Sequence, residues 1–148
     1  MVDRPGAESI SGAEVEIDGT QVDGWTEITL PSQTTEAGEY RDGDDPAYEK
    51  KIWGQTTLGT LTMERELLSS DETVLWEWSQ KIRQGDTDGG RRSLEITFFD
   101  GEGGEHSLWT FEGAWIQHYE PPGLDTSNDE TAKERIVVAF GAMKREEL

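Results

Sequence analysis

The feature that most constrains this chain is an alternation of apolar and polar residues over short runs, each run closed by a turn signal. In "SLEITFFDGEGGEHSLWTFEGAW", Leu94, Ile96 and Phe98 alternate with other residues, Asp100-Gly101 through Gly104 supplies a turn, and Trp109, Phe111 and Trp115 lead back. Successive side chains of a strand point to opposite faces, so this pattern predicts a β-hairpin with one buried face.

The same reading extends along the chain. "AEVEIDG" sets Val15 and Ile17 against Glu14, Glu16 and Asp18 and ends at an Asp-Gly turn. "GWTEITLPSQTTEAGEY" gives two strands around Pro31-Ser32-Gln33, with Ile28 and Leu30 on one side and Glu27 and Thr29 on the other, which predicts a second hairpin with one wet face. "QTTLGTLTMERE" places Leu61 and Met63 opposite Thr60, Thr62 and Glu64, and "TAKERIVVAFGAM" closes the domain with Ile136, Val138 and Phe140 in alternation. The period changes only at "SSDETVLWEWSQKIRQG". There Ser69 and Glu72 have capping-box spacing, Lys81 and Arg83 fall in the last turn, and Gly85 can end it. Leu75, Trp78 and Ile82 recur at helical intervals, which predicts a helix of about four turns with those three side chains in the core. "DTDGGRR" reads as a loop and "HYEPPGLDTSNDE" as a proline-broken connector. The expected architecture is mainly β: a small β-sandwich or barrel of roughly six to eight antiparallel strands with one packed α-helix.

A chain of 148 residues is one domain's worth and buries roughly 68–70% of the surface its unfolded form exposes. Residues 1–12, small and polar, read as a flexible N-terminal arm, and 13–148 as the domain. Hydrophobic residues make up only 32%, but six tryptophans, three tyrosines and four phenylalanines concentrate the apolar area in large rings. The 32 acids against 13 bases give a net charge of -19 and are spread along the whole sequence. Such a surface repels nucleic acid and anionic membranes, so no specific nucleic-acid affinity and no membrane insertion are expected. Self-repulsion also opposes association in dilute buffer, but at about 1 M salt the Debye length falls to roughly 3 Å, which points to a salt-rich, halophilic cytoplasm. No apolar run approaches the roughly 20 residues of a spanning helix, and the first residues lack the apolar core of a secretory signal, so the chain is expected to start in the cytoplasm.

The common chemical sites are each weighed against a plainer reading. Paired carboxylates for general acid–base work arise by chance among 32 acids, so solvated surface charge is the plainer reading. "DGDDP" and "DGEGGE" invite calcium, yet "RDGDDPAYEKKI" lacks the sixth-position glycine and twelfth-position glutamate of an EF-hand, and turns use the same residues. His106 and His118 sit on separate strand segments with no cysteine to complete a zinc shell, and read as surface or interface residues. No nucleophile elbow and no phosphate loop occurs. No enzyme, metal or cofactor is expected. "EYRDGDDPAYEKKIWG", residues 39–54, remains: an unstructured loop, or a surface that docks on another molecule.

The landmarks "GEYRDGDDPAYEKKIWGQTTLGTLTMERE", "LWEWSQKIRQG", "RRSLEITFFDGEGG" and "WTFEGAWIQHYEPPGLDTSNDETAKERIVVAFG" resemble, in order and spacing, the tail tube proteins of contractile phages and phage-derived contractile injection systems. The sequence departs from them in the acidic "DGDDPAYEKK" insertion and in Ile116, where the family tends to have proline. The resemblance implies a structural subunit whose hairpins contribute to a shared hexameric barrel. Rings stack into a rigid hollow tube within a contractile sheath and on a baseplate, with room for a second tube paralogue, and the chain ends in the assembled particle. It also implies an inter-ring interface at Tyr40, Arg41, Tyr48, Lys50, Lys51, Ile52 and Trp53, and a lumen faced by Glu27, Thr29, Thr35 and Glu36. The alternatives are the tail tube of a DNA-delivering virus of a halophilic host and, in another class, an acidic β-barrel that binds a small ligand. A further expectation is that a lone copy leaves hairpins unsatisfied, because open sheet edges must be paired, covered or charged.

Overall fold

A computed structural model describes residues 10–40, 50–66, 73–122 and 132–148. The strands follow the alternation. β1 (Ile10–Ile17) buries Val15 and Ile17 and turns through Asp18 (φ 50°) and Gly19 (φ 80°) into β2 (Thr20–Val22). Two consecutive residues at positive φ make the tight hairpin turn that Asp-Gly favours. Asp18 fixes that turn to the body by exchanging 2.8 Å hydrogen bonds with the Ser93 backbone. β1 begins inside the stretch expected to be an arm.

β3 (Trp25–Thr29), β4 (Gln33–Tyr40), β5 (Lys50–Leu58) and β6 (Leu61–Glu66) come next. The hairpin expected across Pro31-Ser32-Gln33 does not form. β3 instead pairs with β6, placing Ile28 opposite Met63, while β4 pairs with β5. The reason is burial: β3 carries Ile28 toward the core, with Leu30 just beyond its end, whereas Gln33 to Glu36 offer no apolar face to bury.

α1 (Val74–Arg83) is ten residues, about three turns rather than four. Its N-cap is Thr73, with no side-chain cap bond; Ser69 and Glu72 lie outside the described residues. Its end is as expected: Gly85 at φ 76° lets the Asp86 N–H reach the Lys81 carbonyl (3.0 Å) and its own N–H reach Ile82 (3.0 Å). The stretch expected as a loop contains α2 (Thr87–Gly90), capped by Asp86, whose carboxylate accepts from the Gly89 N–H at 2.9 Å. Adjacent glycines disfavour helix, but Trp78 donates its indole N–H to the Gly90 carbonyl at 2.7 Å and holds the turn in place.

β7 (Arg92–Asp100) and β8 (Glu105–Glu120) form the long hairpin, followed by β9 (Lys133–Ala139) and β10 (Ala142–Glu147). Ten strands and two helices are thus present among the described residues, and the fold is mainly β. Neighbours along the main sheet run β2-β1-β7-β8-β9-β6-β3, with β10 also on β8, all antiparallel. β8 belongs to two layers. Ser107 to Glu112 pair with β10, and Trp115 to Glu120 pair with β9. The change falls at Gly113 (φ 63°), opposite the Phe140-Gly141 break between β9 and β10, where the Gly141 N–H donates to the Glu112 carbonyl at 2.8 Å. Positive φ here favours glycine. The path begins at β2 and ends at β3, which only Asp23 and Gly24 join, so the sheet comes nearly full circle.

One core fills the fold. Val15, Leu94, Ile96 and Phe111 enter from one layer, Leu61, Met63, Ile136 and Val138 from the other, and Leu75 and Trp78 from α1, all fully buried. Each such side chain contributes about 1.5–3 kcal/mol by leaving water. Ile82 is half-buried and packs against the same core.

Candidate functional site

β4 and β5 form a ribbon apart from the body. Among the described residues they pair only with each other, and no other element packs on them beyond isolated contacts. Every described side chain of Gln33 to Ala37 and of Ile52 to Thr57 is exposed, Trp53 at 86% and Ile52 at 52%. The Thr35 and Thr56 hydroxyls meet across the strands at 2.9 Å, and the Gly59 N–H ties the root to the Ser32 carbonyl at 2.8 Å. A two-stranded ribbon with no buried face is marginal in water, and both of its outer edges carry unpaired backbone groups. Burial against another molecule would supply what this copy lacks.

This ribbon holds most of the residues expected at an inter-ring interface. Register sets Tyr40 opposite Lys50, Glu39 opposite Lys51, Gly38 opposite Ile52 and Ala37 opposite Trp53; Arg41 and Tyr48 lie outside the described residues. The expected lumen residues are less unified. Glu27 and Thr29 share the exposed face of β3, but Thr35 and Glu36 are successive residues of β4 and face opposite ways, so one wall can take only one of them. Beside β3, which among the described residues pairs only with β6, runs an open groove of about 610 Å³ lined by Ile28, Leu30, Phe98, Trp109 and Arg145.

The ribbon's mounting contains what sequence reasoning missed. Arg65 of β6 and Glu134 of β9 are buried and joined at 2.6 Å. Tyr119 donates its hydroxyl to the other Glu134 oxygen at 2.7 Å, Arg65 donates to the Asp23 carbonyl at 3.3 Å, and its guanidinium lies over Trp25 at 5.9 Å. The network thereby fixes the Asp23-Gly24 link and the start of β3. Burial, then the hydrogen bond and charge of Glu134, push the Tyr119 phenol well above its ordinary range. The periodicity was a usable signal: Arg65 is in phase with Leu61 and Met63, and Glu134 with Ile136 and Val138.

His106 and His118 lie at opposite ends of one strand, β8, rather than on separate segments. His118 is exposed beside Glu120 at 3.1 Å, and His106 meets the Ser107 hydroxyl at 3.0 Å. No His, Asp and Glu among the described residues gather in a metal-binding group, and no helix among them is long and apolar enough to cross a membrane.

A family model, the T4-like virus tail tube protein gp19, matches residues 14–144. No curated protein matches the chain. Among solved structures, the chain is similar to one from the anti-feeding prophage cap, described as a tube terminating cap (TM-score 0.78, 18% identity, 99% of this chain and 97% of that one). It is similar to another in the PVC sheath-tube complex of an extracellular contractile injection system (TM-score 0.76, 16% identity, 92% and 88%). A looser likeness joins it to Hcp1 from Flavobacterium johnsoniae (TM-score 0.57, 14% identity, 91% and 94%). At these identities the structures show a shared fold.

Proposed function

This chain belongs to the T4-like virus tail tube protein family, a family of structural proteins and not of enzymes, and from that premise we propose that it is an inner-tube subunit whose hexameric rings stack into a hollow conduit. The observation that carries this reading is the β4–β5 ribbon, whose two strands pair, among the described residues, only with each other. In a ring, the ribbon of one copy adds to the β3 edge of the next over the groove at Ile28 and Leu30, and the sheet continues from copy to copy. Closure is the arrangement that removes strand edges altogether. Tyr40, Arg41, Tyr48, Lys50, Lys51, Ile52 and Trp53 then contact the adjoining ring, and the polar faces of β3 and β4 line the bore.

A contractile sheath, a baseplate and a second tube paralogue complete this reading, with likeness to a chain of a sheath-tube complex as its support. The chain is made in the cytoplasm of a halophilic cell and ends in the particle. A second reading, the tail tube of a virus that delivers DNA, is favoured by the viral family model. Electron microscopy and light scattering of the full chain at molar salt test the main reading. Rings or tubes with sixfold symmetry are expected; a compact monomer with the ribbon folded onto its own body would overturn it. Nucleic acid inside particles purified from the native source would favour the viral reading.

A further inference from the structure

Four large apolar side chains are exposed among the described residues: Ile52, Trp53, Trp76 and Leu148. The first two belong to the ribbon. The others mark opposite ends of the β7–β8 hairpin. At the start of β7, α1 and α2 enclose a small groove of about 130 Å³ lined by Ile82, Gly85, Thr87, Gly90, Arg91 and Trp115, with Asp86 on its wall. Its volume suits one branched aliphatic side chain. The groove lies in a stretch richer in bases than the chain as a whole: residues 74–92 hold four bases (Lys81, Arg83, Arg91, Arg92) against three acids (Glu77, Asp86, Asp88), whereas the chain holds 13 against 32.

About 26 Å away along β7, at the rise of a strand, the chemistry reverses. The hairpin turn presents exposed Glu102 and Glu105, and Leu148, its N–H bonded to the His106 carbonyl at 3.2 Å, lies beside it at 53% exposure. Glu146, paired with Leu108 in register, shares a face with Leu148 and with Lys144, whose ammonium is engaged by Glu112 at 3.0 Å. One end thus offers an apolar anchor with acids in excess (Glu102, Glu105, Glu146 and Glu147 against Lys144 and Arg145), and the other an apolar groove with a small excess of bases.

We propose that Leu148 of one copy, with Glu146 beside it, docks into the α1–α2 groove of another copy against Arg91. Donor and acceptor occupy opposite ends of the molecule, so the contact is head-to-tail and repeats without closing. The inference rests on the tube reading for what it builds, namely the stacking of successive copies. It also accounts for how copies of charge -19 can meet: molar salt screens repulsion beyond roughly 3 Å, while groups in direct contact keep their attraction.

The chain contains no cysteine, which makes cross-linking a clean test. Chains carrying Leu148→Cys and Thr87→Cys, both at exposed positions, are mixed at molar salt under copper-phenanthroline oxidation. The mixed disulfide dimer is expected in about tenfold excess over either like-with-like dimer. Glu146→Arg in the Leu148→Cys chain, or Arg91→Glu in the Thr87→Cys chain, is expected to reduce it about tenfold, and both exchanges together, one on each partner, to restore it. A mixed dimer no more than about twice either like-with-like dimer, the ratio that random pairing of equal amounts gives, or a double exchange no better than the single ones, overturns the proposal. Tubes without the mixed dimer would leave the tube reading standing and this contact refuted; the mixed dimer without tubes would do the reverse.

Discussion

Arg65 and Glu134 are both fully buried, and each is what makes the other tolerable there. Removing one member of a buried pair leaves an uncompensated charge, so Glu134→Ala is expected to cost about 3–5 kcal/mol in denaturant unfolding. The melting temperature should fall by about 2–4 °C per kcal/mol for a chain of this size. Tyr119 adds a pH dependence. Its phenol is held above the ordinary value of 10.0, so at alkaline pH the folded state keeps a proton that the unfolded state has lost. That stabilisation is complete below about pH 10 and declines as pH rises beyond it. Tyr119→Phe should therefore be less stable at neutral pH, having lost the bond to Glu134, yet show a shallower alkaline decline when unfolding is followed from pH 8 to 12. Trp53 behaves oppositely: at 86% exposure, Trp53→Ala should leave unfolding within about 0.5 kcal/mol while lowering the yield of tubes by scattering.

The ribbon and the elements beneath it divide what a sequence can reveal from what it cannot. β6 and β9 alternate buried with less buried residues along their length because each has one face in the core, and their alternation was plain in "LTMERE" and "ERIVVA". The end of α1 was legible from Lys81, Arg83 and Gly85, since those residues act within one turn of where they stand. In β4 and β5 neither face is buried by this copy, so no period-2 apolar pattern could reveal which strand each would pair with. β10, charged along an outer edge, was missed for a related reason, and α2 because Gly89-Gly90 reads as a breaker unless Trp78 is seen bonding to it. The ribbon also yields a prediction at its own scale. Deleting Ala47 to Trp53 removes none of the described core residues, so a folded monomer or ring that does not polymerise is expected. Tubes of ordinary length in micrographs of that deletion would refute the ribbon's assigned contact.

For the molecule as a whole, charge sets the conditions of assembly. With a net charge of -19, copies repel through dilute buffer, and tubes formed at molar salt should loosen on dilution into low salt, read as falling scattering and shorter tubes. Tubes indifferent to salt would remove the halophilic reading and leave the family unaffected. The single strand β8, which passes at Gly113 from one layer into the other, has a mechanical meaning as well. Two layers joined by side-chain packing alone could slide when thrust along the particle axis. Here peptide bonds run through the seam, so a push on one layer reaches the other as tension in the backbone, and the subunit moves as one piece.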